Sequence, residues 1–337
     1  MCAGTYNIQD PLGFLCVPAL FIVFNVLFPT DISNATGTQE QKTVLARKIK
    51  TACMEDGIFY VTGHGIPEET IDNVFSAMRA YFSLPLETKM KLYHKRSGNF
   101  RGYGPLLDSN IEPSNRGDLL EGFGAGWQEL FPDENDEKKE NSSHAKPGAN
   151  VWPSEPAPFR KAYLNYYHAA VGVGRMLYRL FALALDLPET YFDDKTNDLA
   201  TNMRTLHYPP QTGPVNDGIC FTILWQEPGI QALQVLNSEM RWINATPIPG
   251  TLVVNIADLL ARWTNDVFKS PVHRAINRSG VPRYSIALFF GADSQVQIEP
   301  VPSCISSEQP PKYEIISVGD YVQKRIEDMY YQTVPPP

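Results

Sequence analysis

The hydrophobic and polar positions follow a helical period in the first half of the chain and form short strand-like runs in the second. Apolar residues recur at helical spacing over residues 39–56, and further helices are predicted over 68–82, 85–93 and 156–187. From about residue 196 the apolar runs shorten to strand length. They lie at residues 203–210, 221–226, 229–236, 241–243, 251–256, 272–276 and 283–290, and a last helix follows within 313–331. The pattern favours a mainly β core with flanking helices.

The most informative stretch is PGTLVVNIADLLARWTNDVFKSPVHRAINRSGVPRYSIALFF, residues 249–290. It is typical of a strand, a short helix, a strand that carries His273, a turn and a final strand that begins at Arg283. Because side chains alternate along a strand, Arg283 and Ser285 are expected on the same face. A guanidinium matches a carboxylate through two parallel hydrogen bonds, so this pair predicts a carboxylate-binding site.

This stretch resembles the Fe(II)/2-oxoglutarate-dependent dioxygenase superfamily, in its isopenicillin-N-synthase-like branch, and the resemblance extends from about residue 28 onward. The resemblance implies a double-stranded β-helix, or jelly roll, with Fe(II) as cofactor and 2-oxoglutarate as co-substrate. It further implies that His273 is an iron ligand and that Arg283 and Ser285 hold the far carboxylate of 2-oxoglutarate, with Tyr208 beside them. The reaction implied is the O2-dependent hydroxylation or desaturation of a small molecule of secondary or catabolic metabolism.

One part of the family pattern is missing. The family carries an H-x-D/E pair just before the strand that matches residues 221–224, and this pair completes a two-histidine, one-carboxylate metal site with the later histidine. Here the text reads QTGPVNDGICFT, without a histidine. An ungapped alignment places Val215 at the histidine position and Asp217 at the carboxylate. Alternatively, residues 213–217 are the preceding turn, a strand with both ligands has been deleted, and Asp217 is no ligand.

Either alignment weakens the metal site, since one imidazole with at most one carboxylate holds Fe(II) poorly. His207, on the neighbouring predicted strand, is a weak candidate as a replacement ligand. A deleted strand would also leave an unpaired edge in the barrel, so the jelly roll is expected to lack one strand.

Composition narrows the class of protein. The chain has 337 residues, 43% of them apolar, and a net charge of −8, which argues against a nucleic-acid or anionic-membrane partner. Its five cysteines form no CxxC pair, so neither a zinc site nor a disulfide framework is expected, in keeping with a cytoplasmic location. We divide the chain into an atypical apolar extension (1–27), a helical and strand region (28–195), the jelly-roll domain (196–300) and a C-terminal helix and tail (301–337), and expect a monomer.

Two segments outside the barrel carry further expectations. Residues 12–28 are almost uninterruptedly apolar but short for a membrane span, which needs about 20 residues, so an unusual extension is favoured over an anchor. The glycine-rich segment 97–127 resembles that of fungal and plant members that act on small metabolites. Asn99, Arg101, Tyr103 and Glu121 are candidates for a substrate mouth, and the alternative is that they fix a long loop.

Three hypotheses follow. The first is a 2-oxoglutarate-Fe(II) type oxidoreductase. The second is a metal-free family member that catalyses a non-redox step or only binds its ligand. The third is an inactive product of altered splicing or gene decay, to which the apolar start and the strand-sized gap both point. Succinate release with added Fe(II) would support the first hypothesis, and activity that is insensitive to a chelator would support the second. The absence of cooperative unfolding would support the third.

Overall fold

The computed structural model describes residues 29–97, 100–109, 118–128, 149–196, 201–210 and 221–331. Within these ranges the helices are α1 (Gln39–Glu55), α2 (Glu68–Phe82), α3 (Leu86–Met90), α4 (Phe159–Ala184), α5 (Asp258–Trp263) and α6 (Val318–Tyr331). The strands are β1 (Thr30–Asp31), β2 (Ile58–Thr62), β3 (Gly102–Gly104), β4 (Glu121–Gly126), β5 (Asn202–Tyr208), β6 (Phe221–Gln226), β7 (Leu233–Leu236), β8 (Trp242–Asn244), β9 (Leu252–Ile256), β10 (His273–Ala275), β11 (Arg283–Phe290), β12 (Gln297–Ile298) and β13 (Ile316–Ser317).

Two facing sheets form the core and confirm the predicted jelly roll. The large sheet has eight strands in the order β1-β2-β9-β6-β11-β5-β4-β3, and the small sheet has three, in the order β10-β7-β8. Strands β12 and β13 form a separate pair that the sequence did not predict. Among the described strands, β10 and β8 are the two edges of the small sheet, and each pairs with β7. Residues 211–220, where the two alignments differ, lie outside the described ranges, so the missing strand stays a prediction.

Helices α1, α2 and α4 pack on the outer face of the large sheet and bury its main hydrophobic core. Helix α1 begins with a capping box, in which the Thr38 hydroxyl accepts from the backbone N–H of Gln41 and the Gln41 side chain accepts from that of Thr38 at 2.8 Å. None of the described helices combines the length and apolarity needed to cross a bilayer. The apolar segment before residue 29 lies outside the described residues.

The centre of α4 touches the sheet so closely that a methyl group would not fit. A Cβ placed on Gly174 would lie 2.1 Å from a ring carbon of Phe290 in β11. The Phe290 ring is itself held, since it stacks on Phe221 with centroids 5.4 Å apart. Gly172, in the same helix, has no atom within 4 Å of an added Cβ. The two glycines are therefore a matched pair.

We expect Gly174→Ala to lower the free energy of unfolding by about 1–3 kcal/mol, because overpacking forces the ring or the helix to shift. Gly172→Ala should instead raise it by about 0.5–1 kcal/mol through helix propensity alone. Urea unfolding of both variants measures the difference. Equal effects of the two substitutions would show that the α4–β11 contact is looser than described.

Candidate functional site

A pocket lies between the two sheets, and its wall is polar at the positions that the sequence singled out. It is lined by Ile58, Leu206, Tyr208, Thr222, Leu224, Leu233, Val253, Asn255, His273, Ala275, Arg283, Ser285 and Ala287. The wall therefore combines an apolar body with a few converging polar groups, which is typical of a small-molecule site. Arg283, Ser285, Tyr208 and His273, inferred from separate stretches of sequence, meet in this one pocket.

Arg283 is the most unusual of these groups because it is a fully buried cation. Its Nη2 donates to Gln226 Oε1 at 3.3 Å, and its guanidinium carbon lies 4.9 Å from the centroid of the Tyr208 ring. Its Nε and Nη1 have no hydrogen-bond partner among the described residues, and neither does the Ser285 hydroxyl. Burial lowers the pKa of the Arg283 guanidinium below its ordinary value.

A neighbouring acidic residue, Glu227, directs its hydrogen bonds elsewhere. It accepts from the backbone N–H of Tyr284 at 2.8 Å and from Arg79 Nη2 at 3.3 Å. Buried donors without partners are costly, and native sites keep them chiefly for a ligand or ordered water. The open donors of Arg283 and Ser285 therefore fit a bound carboxylate, as the resemblance implied for the far carboxylate of 2-oxoglutarate.

His273 lies at the other end of the pocket wall, at the start of β10. Its Nδ1 is 3.1 Å from the carbonyl oxygen of Pro271 and 3.3 Å from the nearer side-chain amide atom of Asn255. Asn255 is buried in the apolar strand β9, where it lines the same pocket. Sequence reasoning missed Asn255 and Thr222, although each is a polar residue inside an apolar run and therefore a signal that could have been noted.

The described residues do not form a complete site for Fe(II). Among them, no three His, Cys, Asp or Glu side chains come together in a group that could hold a metal ion. His273 is the histidine in the pocket wall, and Asp217 lies outside the described ranges. One imidazole is a poor donor set for Fe(II), so the metal does not fit the described residues.

His207 does not supply the missing ligand. It is next to Tyr208 on β5, so its side chain lies on the opposite face of the sheet. There its ring stacks on Tyr284, with centroids 4.8 Å apart, and its Nδ1 lies 2.7 Å from the Glu121 carboxylate. The hypothesis that His207 replaces the missing metal ligand is therefore wrong.

Glu121 is the centre of a buried network on this outer face. Its carboxylate accepts from Lys89 Nζ at 2.7 Å, from the Tyr103 hydroxyl and from His207. Burial raises the pKa of Glu121, but the hydrogen bonds from His207, Lys89 and Tyr103 outweigh burial and hold it below its ordinary value. The network joins α3, β3, β4 and β5.

The described residues of the proposed substrate mouth do not line the pocket. Tyr103 and Glu121 belong to the buried network and not to the pocket wall, which agrees with the alternative that they fix the 97–127 segment. The Arg101 guanidinium packs over Gly126, where an added Cβ would lie 2.3 Å from Nη2. Asn99 lies outside the described residues, and a substrate contact by Asn99 or Arg101 stays a prediction.

Comparison with known proteins gives one consistent result. A family model described as non-haem dioxygenase in morphine synthesis N-terminal matches residues 29–155, and the 2OG-Fe(II) oxygenase superfamily model matches residues 198–292. The 2-oxoglutarate-Fe(II) type oxidoreductase hxnY of Emericella nidulans is 34% identical over 316 residues, which cover 89% of each chain. Azadirone synthase LFS of Melia azedarach is 34% identical over 310 residues, 86% of this chain and 90% of that one.

Solved structures agree in fold. A full-length Neurospora crassa protein in complex with alpha-KG and 5-formyluracil matches with a TM-score of 0.75 and 27% identity, over 89% of this chain and 94% of that one. A 2OG-Fe(II) oxygenase family protein from Caulobacter crescentus matches with a TM-score of 0.76 and 29% identity, over 90% and 98% of the two chains. Both similarities span the helical half and the barrel.

Proposed function

Because the chain belongs to the 2-oxoglutarate-Fe(II) oxygenase superfamily, we propose that its barrel pocket binds 2-oxoglutarate by the far carboxylate, through Arg283, Ser285 and Tyr208. Its class is that of the 2-oxoglutarate-Fe(II) type oxidoreductases, whose cofactors are Fe(II) and 2-oxoglutarate and whose reactants are O2 and a small molecule. The observation that carries the proposal is the fully buried Arg283, with two nitrogens open toward a ligand.

The chain's own part in this function is binding and exclusion of water. Arg283 and Ser285 would fix one carboxylate by charge-assisted hydrogen bonds, and the apolar body of the pocket would exclude solvent from the rest of the ligand. Fe(II), when bound in this family, supplies the oxidising power, while the protein supplies orientation. In this chain the described residues contribute His273 alone, so the redox part of the proposal requires the ungapped alignment, in which Asp217 is the second ligand.

If the ungapped alignment holds, we expect added Fe(II) to elicit succinate release from 2-oxoglutarate, and Asp217→Asn to reduce that release at least ten-fold, because it would remove the second ligand. Asp194→Asn is the matched control, since Asp194 is exposed and pairs with its chain neighbour Lys195. Anaerobically prepared protein, mixed with Fe(II), 2-oxoglutarate and air, gives the rate. Wild-type protein that binds 2-oxoglutarate but releases no succinate would contradict the redox part.

A second candidate function is a metal-free family member that binds an acid or catalyses a non-redox step. The incomplete donor set around His273, among the residues that the structure describes, favours it. Activity or binding that a strong chelator leaves unchanged would support this candidate, and strict iron dependence would exclude it. Under either candidate we propose a small organic substrate, a monomeric state and a cytoplasmic location, with no nucleic-acid partner.

A further inference from the structure

We propose that the pocket holds both ends of 2-oxoglutarate, or of another diacid of the same length, with hydrogen bonds from this chain, so that binding does not require a divalent metal. The inference rests on the proposed function in taking 2-oxoglutarate as the ligand. It adds a second anchoring point, formed by Asn255 and Thr222, at the end of the pocket where the described metal ligand set is incomplete.

The first end of the pocket, at Arg283 and Ser285, has the hydrogen-bond donors that an anion requires. Arg283 and Ser285 are both fully buried, and their open donors face the pocket that they line. This end fixes one carboxylate whichever metal is present, because none of its groups is a metal ligand.

The geometry around His273 determines which atom Asn255 presents at the second end. A carbonyl oxygen can only accept, so the 3.1 Å contact between His273 Nδ1 and Pro271 O requires a proton on Nδ1. That N–H then calls for an acceptor on Asn255, whose amide atom lies 3.3 Å away. The amide oxygen and nitrogen have nearly the same shape and are placed by their hydrogen bonds, so the oxygen faces the imidazole.

The amide N–H2 of Asn255 therefore points away from His273. The amide atom on that side is buried and has no hydrogen-bond partner among the described residues. Asn255 is 5% exposed, and its backbone pairs with strands on both sides, so the side chain cannot move far to reach water. The result is a second buried donor that lacks a partner in the described pocket wall.

Thr222 stands directly beside Asn255, because the two residues are register partners in β6 and β9. Its hydroxyl adds a donor at the same end, and Thr222 lines the pocket. Together Asn255 and Thr222 offer two neutral hydrogen-bond donors. An oxo-acid group that no metal chelates needs such donors, because its oxygens are hydrogen-bond acceptors.

The separation of the two ends fits a five-carbon diacid. Ser285 pairs with Gln226 and Phe289 with Thr222, so the two polar rows are four residues apart, about 13 Å along the strand. An extended five-carbon diacid with a hydrogen bond at each end covers about 12–13 Å. A ligand of this length therefore reaches from Ser285 to Thr222.

The test is isothermal calorimetry on the full chain with 2-oxoglutarate and with glutarate, which lacks the oxo group and does not chelate metal through it. Each acid is titrated in excess EDTA and again with Mn(II). We expect the two acids to bind within about three-fold of each other, and Mn(II) to change neither affinity by more than three-fold. Asn255→Asp should weaken both acids at least ten-fold in EDTA, because a carboxylate replaces the donor.

Two further variants keep the test decisive. Thr222→Val removes the hydroxyl at nearly constant shape and should weaken both acids several-fold even if Asn255→Asp unfolds. Asn244→Asp makes the same chemical change on β8, outside the pocket wall, and should have no effect.

Each outcome separates the inference from the proposed function. Binding of 2-oxoglutarate that Mn(II) strengthens ten-fold or more, without a matching gain for glutarate, would overturn the inference and leave the proposed function in place. Unchanged affinity in the folded Asn255→Asp and Thr222→Val proteins would also overturn it. Failure of 2-oxoglutarate to bind under any condition would contradict the proposed function itself.

Discussion

Replacing Arg283 by methionine is expected to abolish the rise in melting temperature that 2-oxoglutarate causes, while the ligand-free protein stays at least as stable as wild type. The ligand loses its charge-assisted hydrogen bonds, and we expect its Kd to rise about 100-fold, equivalent to about 2.8 kcal/mol. The ligand-free protein loses a buried cation whose Nε and Nη1 have no partner among the described residues, and apolar replacements of buried charges are often neutral or stabilising.

Calorimetry and thermal unfolding, with and without 2-oxoglutarate, measure both effects. Arg274→Met is the matched control, because Arg274 is on β10 next to His273 but packs over Trp242, with the guanidinium 3.8 Å from the ring centroid, and does not line the pocket. The control should bind 2-oxoglutarate normally. An Arg283→Met protein that binds within three-fold of wild type would refute the carboxylate clamp.

The second large effect is expected from Glu121→Gln, which should cost about 3–5 kcal/mol of unfolding free energy. The substitution leaves the Lys89 ammonium buried beside a neutral amide, and breaking one partner of a buried ion pair is far costlier than breaking an exposed one. Glu239→Gln is the control, because Glu239 and Arg241 form an exposed pair that should contribute less than about 1 kcal/mol. Urea unfolding at neutral pH gives both values.

The same carboxylate makes a prediction about pH. Its pKa is lower in the folded protein than in the unfolded chain, so its contribution is fully present above the unfolded value, about 4.3, and is lost as pH falls through the folded value. Wild-type stability should therefore decrease more steeply than that of Glu121→Gln below about pH 4. Parallel curves for the two proteins would show that Glu121 is not held in its ionised form by the network.

The sequence predicted elements well where the signal is local. The bounds of α2, α6, β6 and β11 agree with the structure because apolar periodicity and flanking turns lie within each segment. Arg283 and Ser285 share a face for the same local reason, the alternation of a strand. The jelly roll itself came from the family resemblance, not from periodicity.

Prediction from the sequence failed for elements and contacts that depend on residues distant in the chain. Strands β3 and β4 have glycine at every second position and were expected as part of a loop, since glycine is a poor strand former. They are strands because β5, about 80 residues later, pairs with β4. The role of Asn255 depends on its contact with His273, and the role of Glu121 depends on its contacts with Lys89 and His207. These partners are distant in sequence, so no local pattern could predict them.

The central position of β11 has a consequence for how the protein is made. Strands β3, β4 and β5 on one side, and β1, β2, β9 and β6 on the other, are joined within the described large sheet only through β11. A nascent chain that has not yet released residues 283–290 from the ribosome holds two unjoined half-sheets. Its pocket also lacks Arg283 and Ser285, so products truncated before residue 283 should be both protease-sensitive and unable to retain the acid. Binding of free 2-oxoglutarate would then distinguish full-length, assembled molecules from truncated ones.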